Sequence, residues 1–272
     1  MNILGYEFMQ RALLAAAMVG LAAPAIGIFL VQRRLSLLGD GIGHVAFMGV
    51  AAGFLLGTSP VITAIAAATL GGLAIEVLRE RGRTAGDVAL ALIFYGGIAG
   101  GALLTYKAGA ANESLAYLFG SVLSVSPLDL ALVAGVSATV LVVTFALRKE
   151  LFAVSYDEEV ARASGLPVRR LNLLIALIAS VTIGVTMRVV GLLLVSAMLV
   201  LPVAAVQQVS ASFRGTLLGS LGLGAFVSVG GLVIAFYADV APGATIVLSA
   251  IAAFGLCSIA ARMLPGIGGR SG

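Results

Sequence analysis

The chain is poor in the side chains that carry most protein chemistry. Its 272 residues include one His, one Cys and no Trp, and charged residues make up 10% of it. A typical soluble domain holds roughly 25% charged residues. The single cysteine, Cys257, excludes an intrachain disulfide and a metal site built from cysteine ligands. With one His and one Cys, a hydrolase centre of the usual kinds also has too few residues.

Three sequence patterns are absent as well. The chain has no G-x-x-x-x-G-K-[ST] phosphate loop, so it is not itself an ATP-hydrolysing motor. It has no internal repeat and no long polar or low-complexity stretch, which predicts a single domain over residues 1–272. The first residues lack a basic segment, and we expect no cleaved signal peptide.

Apolar residues occupy most of the chain. They make up 61% of it, and the mean hydropathy is +1.15. Apolar runs separated by charged or Pro/Gly-marked breaks predict nine helices, at 9–31, 38–57, 60–78, 87–106, 128–147, 171–187, 190–208, 215–237 and 243–262. The 35 glycines favour close helix packing in lipid. The expected fold is an all-α polytopic transmembrane bundle of eight or nine spans, because residues 171–208 also fit a broken or re-entrant pair.

The distribution of Lys and Arg predicts the orientation of these spans, since cytoplasmic loops are enriched in basic residues. With the N-terminus outside and the C-terminus in the cytoplasm, one set of basic residues falls on the cytoplasmic side: Arg33, Arg34, Arg79, Arg81, Arg83, Arg148, Lys149, Arg162, Arg169, Arg170, Arg214, Arg262 and Arg270. The outer side then holds Lys107 and Arg188. The net charge of +4 therefore reflects cytoplasmic loops and does not indicate a nucleic-acid partner.

The chain's only His follows an aspartate inside an apolar segment. Residues 33–44, with the sequence RRLSLLGDGIGH, place Asp40 and His44 four positions apart, on one face of a helix. Carboxylate and imidazole both bind divalent transition metals, and ionisable groups inside a membrane usually mark a pathway. The alternative is an Asp–His hydrogen bond that holds helices together, and the spacing alone leaves both interpretations open.

The longest predicted cytoplasmic loop contains a short helix with a start and a stop signal. Within residues 155–167 (SYDEEVARASGLP), Ser155 and Glu158 have capping-box spacing, and Asp157 is the alternative N-cap. Acidic residues suit the first turn, Gly165 fits the position after the last turn, and the following proline prevents continuation. A short, rigid, charged helix suits docking to a soluble motor subunit, although an ordinary interhelical loop carries the same signals.

Five segments together resemble a known family. They are RRLSLLGDGIGH (33–44), LAYLFGS (115–121), ARASGLPVR (161–169), MRVVGLLL (187–194) and FYADVAPGAT (236–245), in this order along nearly the whole chain. With these segments the chain resembles the membrane subunit of ATP-binding-cassette importers for zinc, manganese and iron. The resemblance implies a type II importer fold, a helix bundle in the lipid bilayer of the bacterial plasma (inner) membrane.

The resemblance also implies partners and site residues. Such permeases work as dimers, each copy bound to a cytoplasmic ATPase, and receive the ion from an extracytoplasmic binding protein. The chain would then be a transport subunit and not an enzyme. Asp40 and His44 match the family's metal contacts in the translocation path. The match to the helix that couples to the ATPase covers Asp157, Glu158, Glu159, Ala161, Arg162, Gly165 and Pro167.

Two acidic residues are further candidates near the outer face. Asp239 matches a family position there, although a structural role is the favoured interpretation of it. Glu113 is the only acid in the predicted outer loop 107–126 and would attract cations or the binding protein. A solvated loop charge is the simpler interpretation of Glu113.

The combined expectation is a permease that moves a divalent transition-metal ion into the cytoplasm and holds no permanent cofactor. In a homodimer, or a dimer with a paralogous permease, two Asp–His pairs would supply four ligands. Zinc is the ion expected first, because imidazole and carboxylate groups are both common zinc ligands, and manganese is expected second. Two other functions stay open: a proton- or sodium-coupled secondary transporter with Asp40 and His44 as the relay, and a siderophore or cobalamin permease.

Overall fold

Helices account for nearly all of the chain that the structure describes. The structure is a computed structural model and describes residues 5–80, 86–120 and 125–263, in which there is no strand. Its helices are α1 (Glu7–Gln32), α2 (Leu38–Leu56), α3 (Pro60–Glu80), α4 (Gly86–Ala108), α5 (Ala111–Phe119), α6 (Pro127–Ala146), α7 (Arg148–Tyr156), α8 (Glu158–Ala163), α9 (Val168–Val190), α10 (Leu192–Gln207), α11 (Phe213–Ala238) and α12 (Pro242–Met263). Four predicted basic or motif residues, Arg81, Arg83, Ser121 and Arg270, lie outside the described residues.

The nine expected helices all occur, and among the described residues eight are long and apolar enough to cross a membrane. The ninth, α10, has 16 residues and is about 24 Å long, less than a hydrocarbon core of about 30 Å. It follows α9 directly through Gly191, whose φ of 87° only glycine adopts readily. The region expected as either two spans or a broken pair is therefore a full-length helix followed by a short one.

The helices form a layered bundle with α1, α2, α9 and α10 at its centre. Each long helix contains an apolar stretch of 18 residues. About two thirds or more of this stretch is buried in α1, α2 and α9, against 22% in α4 and 11% in α12. The large apolar side chains that α4 and α12 leave exposed, such as Leu92 and Leu256, suit contact with lipid. The centre of the bundle is therefore protein-packed, and its outer helices present a hydrocarbon-facing surface.

Close backbone approach at the centre depends on glycine. A Cβ added at Gly20 would lie 2.6 Å from the carbonyl oxygen of Gly224, and one added at Gly224 would lie 2.7 Å from Cγ of Pro24. A Cβ at Gly27 would overlap the carbonyl of Leu199. Since helices associate in lipid through packing, these positions bring α1 against α11 and α10.

Several basic loops converge at one end of the bundle. Arg33 after α1 lies 3.2 Å from Glu76 of α3, and Arg169 at the start of α9 lies 3.1 Å from Glu80. The ring of Phe213, at the start of α11, packs against rings of α1 and α7 at centroid distances of 5.9 and 4.6 Å. The sequence grouping of basic residues thus corresponds to one physical end of the molecule, which we call the basic end.

Candidate functional site

The turn between α1 and α2 sets the position of Asp40 and His44. Residues 33–37 join the two helices, and Arg34 adopts φ 57° while the N–H of Leu35 donates to the carbonyl of Leu30 at 2.8 Å. Asp40 falls in the first turn of α2, where the helix dipole favours a carboxylate. His44 follows one turn later on the same face.

Glycines on α2 separate a packed face from the face with Asp40 and His44. Gly39 and Gly43 face α10: a Cβ at Gly39 would lie 2.9 Å from Cδ1 of Leu199, and one at Gly43 would overlap Leu192. Asp40 and His44 lie about 100° further round the helix. Both are half-buried, so they remain accessible beside a tightly packed helix.

Helix α4 completes the surroundings of this pair. The imidazole of His44 meets the ring of Phe94 edge-on, with centroids 4.8 Å apart and planes at 83°. A Cβ at Gly97 would lie 2.7 Å from the carbonyl carbon of His44, so α2 and α4 nearly touch there. A pocket of about 250 Å³ opens next to the contact, lined by Leu37, Asp40, Leu90, Ala91, Phe94 and Tyr95.

Asp40 and His44 form no hydrogen bond or ion pair with any other described residue. The described part of the chain also contains no cluster of three or more His, Cys, Asp or Glu side chains that would hold a metal ion. Zinc takes four ligands, and manganese prefers six. One copy of the chain therefore supplies two side-chain ligands, which is an incomplete coordination shell.

The predicted loop helix is α8, and its N-cap is Asp157. The carboxylate of Asp157 accepts hydrogen bonds from the N–H groups of Glu159 and Val160 at 2.9 and 3.0 Å. The capping box predicted for Ser155 and Glu158 is wrong, because Ser155 lies in the last turn of the additional helix α7 and is buried. Gly165 adopts φ 81° after the last turn, and its N–H donates to the carbonyl of Arg162 at 3.0 Å. The predicted stop signal therefore has the expected geometry.

The residues assigned to ATPase coupling divide into two groups. Asp157, Glu159, Arg162, Gly165 and Pro167 are exposed, whereas Ala161 is buried and Glu158 is half-buried. Two apolar side chains that the sequence reasoning missed, Tyr156 and Val160, are 77% and 61% exposed next to them. In the sequence, the signal for both residues was a large apolar side chain next to charged residues in a predicted loop.

Glu158 belongs to a closed ring of four charges at the basic end. Arg33 lies 3.2 Å from Glu76 and 3.3 Å from Glu158, and Arg79 lies 2.8 Å from Glu76 and 2.6 Å from Glu158. The amide of Asn172 on α9 donates to the same carboxylate at 3.1 Å. We call these four charged residues the Arg–Glu ring.

The surroundings shift the ionisation of the ring. Burial alone would raise the pKa of Glu158, but the hydrogen bond and charge of Arg79, with the charge of Arg33, outweigh it and hold that pKa below its ordinary range. Burial lowers the pKa of Arg33, which Glu76 opposes. The sequence reasoning missed Glu76, and its signal was an acid inside an otherwise apolar predicted span.

The remaining candidates lie away from the Asp40–His44 pocket. Glu113 is exposed in the first turn of α5. Asp239 is exposed after α11 with φ 53°, and it borders a separate groove formed with Phe8 and Phe236. Arg188, at the end of α9, pairs with Asp129 of α6 at 3.1 Å. Neither Glu113 nor Asp239 joins Asp40 and His44 in a common cluster.

Comparisons with known proteins agree with this architecture. The family model described as "ABC 3 transport family" matches residues 5–261. The manganese import system permease protein ScaB of Streptococcus gordonii is 33% identical over 249 residues, 92% of this chain and 90% of that protein. The manganese transport system membrane protein MntC of Halalkalibacterium halodurans is 32% identical over 256 residues, 94% of this chain and 88% of that one.

A solved structure shows the same fold. The structure described as PsaBC from Streptococcus pneumoniae in complex with Fab aligns with a TM-score of 0.86 and 31% sequence identity, covering 97% of this chain and 96% of that one. The family match covers far more than half of the chain. The chain therefore belongs to the ABC 3 transport family and is a metal-importer permease of the ATP-binding-cassette type.

Proposed function

We propose that this permease carries a divalent transition-metal ion into the cytoplasm and that Asp40 and His44 contact the ion on its way. The supporting observation is that these two ligand-type side chains lie one turn apart on α2, that Asp40 lines a pocket, and that neither side chain forms a hydrogen bond with a described residue. An Asp–His pair that only held helices together would be hydrogen-bonded. A cation entering the pocket would satisfy both groups.

The ion site is completed by a second copy of the chain or by a paralogous permease. Two copies related by a twofold axis would bring two Asp40–His44 pairs together and supply four side-chain ligands. The half-buried state of both residues in one copy supports this arrangement. Residues 1–272 act as one permease domain in each copy.

The basic end faces the cytoplasm, with the N-terminus outside and the C-terminus inside. Enrichment of Lys and Arg at the cytoplasmic side supports this orientation, since Arg33, Arg79 and Arg169 all lie at that end. Tyr156 at the end of α7, with Glu159, Val160 and Arg162 of α8, then faces a cytoplasmic ATPase. A binding protein delivers the ion to the opposite end, where Glu113 and Asp239 are exposed.

Manganese is the first ion to test, and zinc is the second. The named relatives ScaB and MntC are manganese systems. An imidazole–carboxylate pair also suits zinc, and manganese accepts both ligand types in a larger shell. Neither ion is a permanent cofactor, because a conducted ion must bind weakly enough to leave.

Ion uptake by proteoliposomes tests the proposal. The vesicles hold this chain with its ATPase and binding protein, and manganese and zinc compete with and without ATP. We expect uptake that requires ATP and favours one of the two ions. Uptake driven by a proton gradient without ATP would indicate the secondary transporter, with Asp40 and His44 as proton carriers. Uptake of a chelated metal in place of the free ion would indicate a siderophore-type permease.

A further inference from the structure

Resting on the function just proposed, we infer that the Arg–Glu ring is the mechanical link between α8, where the ATPase docks, and α2, which carries Asp40 and His44. The ring joins three separate parts of the chain at the basic end. Glu158 is the first residue of α8, Arg33 directly follows α1, and Glu76 and Arg79 lie in the last two turns of α3. Glu158 is thus a positioning residue whose carboxylate points into the bundle while its neighbours face out.

The ring is built as a rigid unit. The Arg33 and Glu76 side chains are 3% and 4% exposed, and each arginine bridges both glutamates at 2.6–3.3 Å. Two positive and two negative charges balance, so the ring carries no net charge. Moving one charged residue away from the others would leave an uncompensated charge in the protein interior. This energetic cost resists independent movement of the three segments that carry the ring.

Two short connections lead from the ring to Asp40. Along the chain, Arg33 is separated from α2 by the tight turn with Arg34 at φ 57°, and Asp40 follows seven residues after Arg33. Across the packing, α3 contacts α2 directly. A Cβ at Gly71 would lie 2.9 Å from Cγ1 of Val45, and one at Gly72 would lie 3.2 Å from Cδ1 of Ile42. A shift of α8 therefore reaches both the start and the flank of the ligand-bearing helix.

Several buried polar atoms in the ring, or on the chain segments that lead into it, lack a hydrogen-bond partner among the described residues. Nε of Arg33, Oδ1 of Asn172, Oγ of Ser155 and Oε1 of Gln32 are buried and have no hydrogen-bond partner in the described part of the chain. Such atoms are uncommon in well-packed proteins. Within the described residues, the hydrogen bonds of the ring are therefore not saturated: Nε of Arg33 is a donor without an acceptor, and Oδ1 of Asn172, whose amide group holds Glu158, is an acceptor without a donor.

The test uses the complete complex with its ATPase. Hydrogen exchange of the amides of residues 38–44 is measured with and without ATP, together with ATP hydrolysed per metal ion taken up. Glu158→Gln removes one charge from a half-exposed ring member and keeps its shape. Glu80→Gln is the matched control, because it removes an exposed ion pair to Arg169 at the same end, outside the ring.

In the wild type, ATP is expected to change exchange at residues 38–44. Glu158→Gln should abolish that change and raise the ATP used per ion by about tenfold, the effect of losing one charged hydrogen-bonded contact. Glu80→Gln should behave as the wild type. Retained coupling in Glu158→Gln would overturn the inference, as would a wild type without any ATP-dependent change at residues 38–44.

Two further results separate the possible failures. If Glu158→Gln loses its ATPase during purification, the carboxylate serves docking and the link is refuted. If Arg79→Gln and Glu158→Gln act through one ring, the double variant should be no worse than either single variant, whereas additive effects would contradict it. If α2 responds to ATP through Glu158 but neither manganese nor zinc is taken up, the link stands and the proposed ion is wrong.

Discussion

At the scale of single side chains, the bundle holds two kinds of ionisable group. Arg33 and Glu76 are almost fully buried and paired, whereas Asp40 and His44 are half-buried and have no hydrogen-bond partner among the described residues. Pairing compensates the desolvation of the first set. The second set lacks such compensation, so a cation gains most by binding there.

His44→Ala should abolish metal uptake and leave complex assembly and basal ATP hydrolysis intact. The substitution removes an imidazole that contacts the ring of Phe94 and carries no structural hydrogen bond to a described residue. Uptake by proteoliposomes measures the effect. Met48→Leu, one turn further along the same face, keeps the apolar volume and is the control. Wild-type uptake by His44→Ala would remove the ligand role.

Acid should weaken the contact of α8 with the rest of the bundle. Since the pKa of folded Glu158 lies below its ordinary value near 4.5, its stabilising contribution is complete above that value and is lost as pH falls through the lower folded pKa. At neutral pH, the thermal unfolding midpoint in detergent should be higher for the wild type than for Glu158→Gln. This difference between the two midpoints should close below about pH 4.5. A difference that is independent of pH would contradict the ionised pairing.

At the scale of helices, short structures with clear caps connect the long ones. Helix α8 has six residues, far too few to be stable alone. Its Asp157 cap, its Gly165 terminus and the Glu158 contacts with α1 and α3 hold it in place. A helix fixed in this way moves as a unit when an external domain pushes on it.

Gly165→Pro should uncouple ATP hydrolysis from uptake. Proline fixes φ near −65° and removes the N–H that bonds to Arg162, so the end of α8 cannot keep φ 81°. Gly165→Ala should act in the same direction but more weakly, at a cost of about 1–2 kcal/mol for the left-handed backbone. ATP consumed per ion is the measurement. Gly96→Ala, in open space on α4, should be neutral, and unaltered coupling in Gly165→Pro would refute the docking role.

Gly224→Ala should destabilise the bundle by about 1–3 kcal/mol, because the new methyl group overlaps the backbone of Gly20. The shift of the thermal unfolding midpoint in detergent measures it. Gly222→Ala on the same helix has no atom within 4 Å of the added Cβ and should leave the midpoint unchanged. Equal midpoints for both variants would mean that α1 and α11 do not pack this closely.

Hydrophobic periodicity and breaks predicted every long helix, because a bilayer imposes a length on each apolar run. The same reasoning found the Gly165 end of α8 and gave its Asp157 cap as an alternative to Ser155, since caps are local in sequence. It missed the short helices α5 and α7, and it missed the Arg–Glu ring. Arg33 and Glu158 are 125 positions apart, and only tertiary packing brings such side chains together.

At the scale of the whole molecule, the two ends differ. The basic end gathers ion pairs from α1, α3, α8 and α9, while Glu113 and Asp239 are exposed elsewhere. The sides are apolar, and only 11% of the 18-residue apolar stretch of α12 is buried. The molecule thus has a charged end suited to a soluble partner and a perimeter suited to lipid.

Two copies should meet near the Asp40–His44 pocket. In a Cys257→Ser background, His44→Cys should cross-link between copies with a short thiol reagent, because the proposed site needs ligands from both. Leu256→Cys, on the exposed face of α12, is the control and should give much less dimer. Gel electrophoresis counts the cross-linked species. Efficient linkage at 256 and none at 44 would place the interface elsewhere.

The edge-on contact between His44 and Phe94 also makes the molecule its own reporter. The chain has a single His, so isotope labelling of histidine gives one imidazole signal in a magnetic resonance spectrum. The aromatic ring with its centroid 4.8 Å away adds a ring-current shift to that signal. Any rotation of α2 against α4 changes the shift. Opening and closing of the pathway would therefore be visible at one resonance, without a probe being introduced.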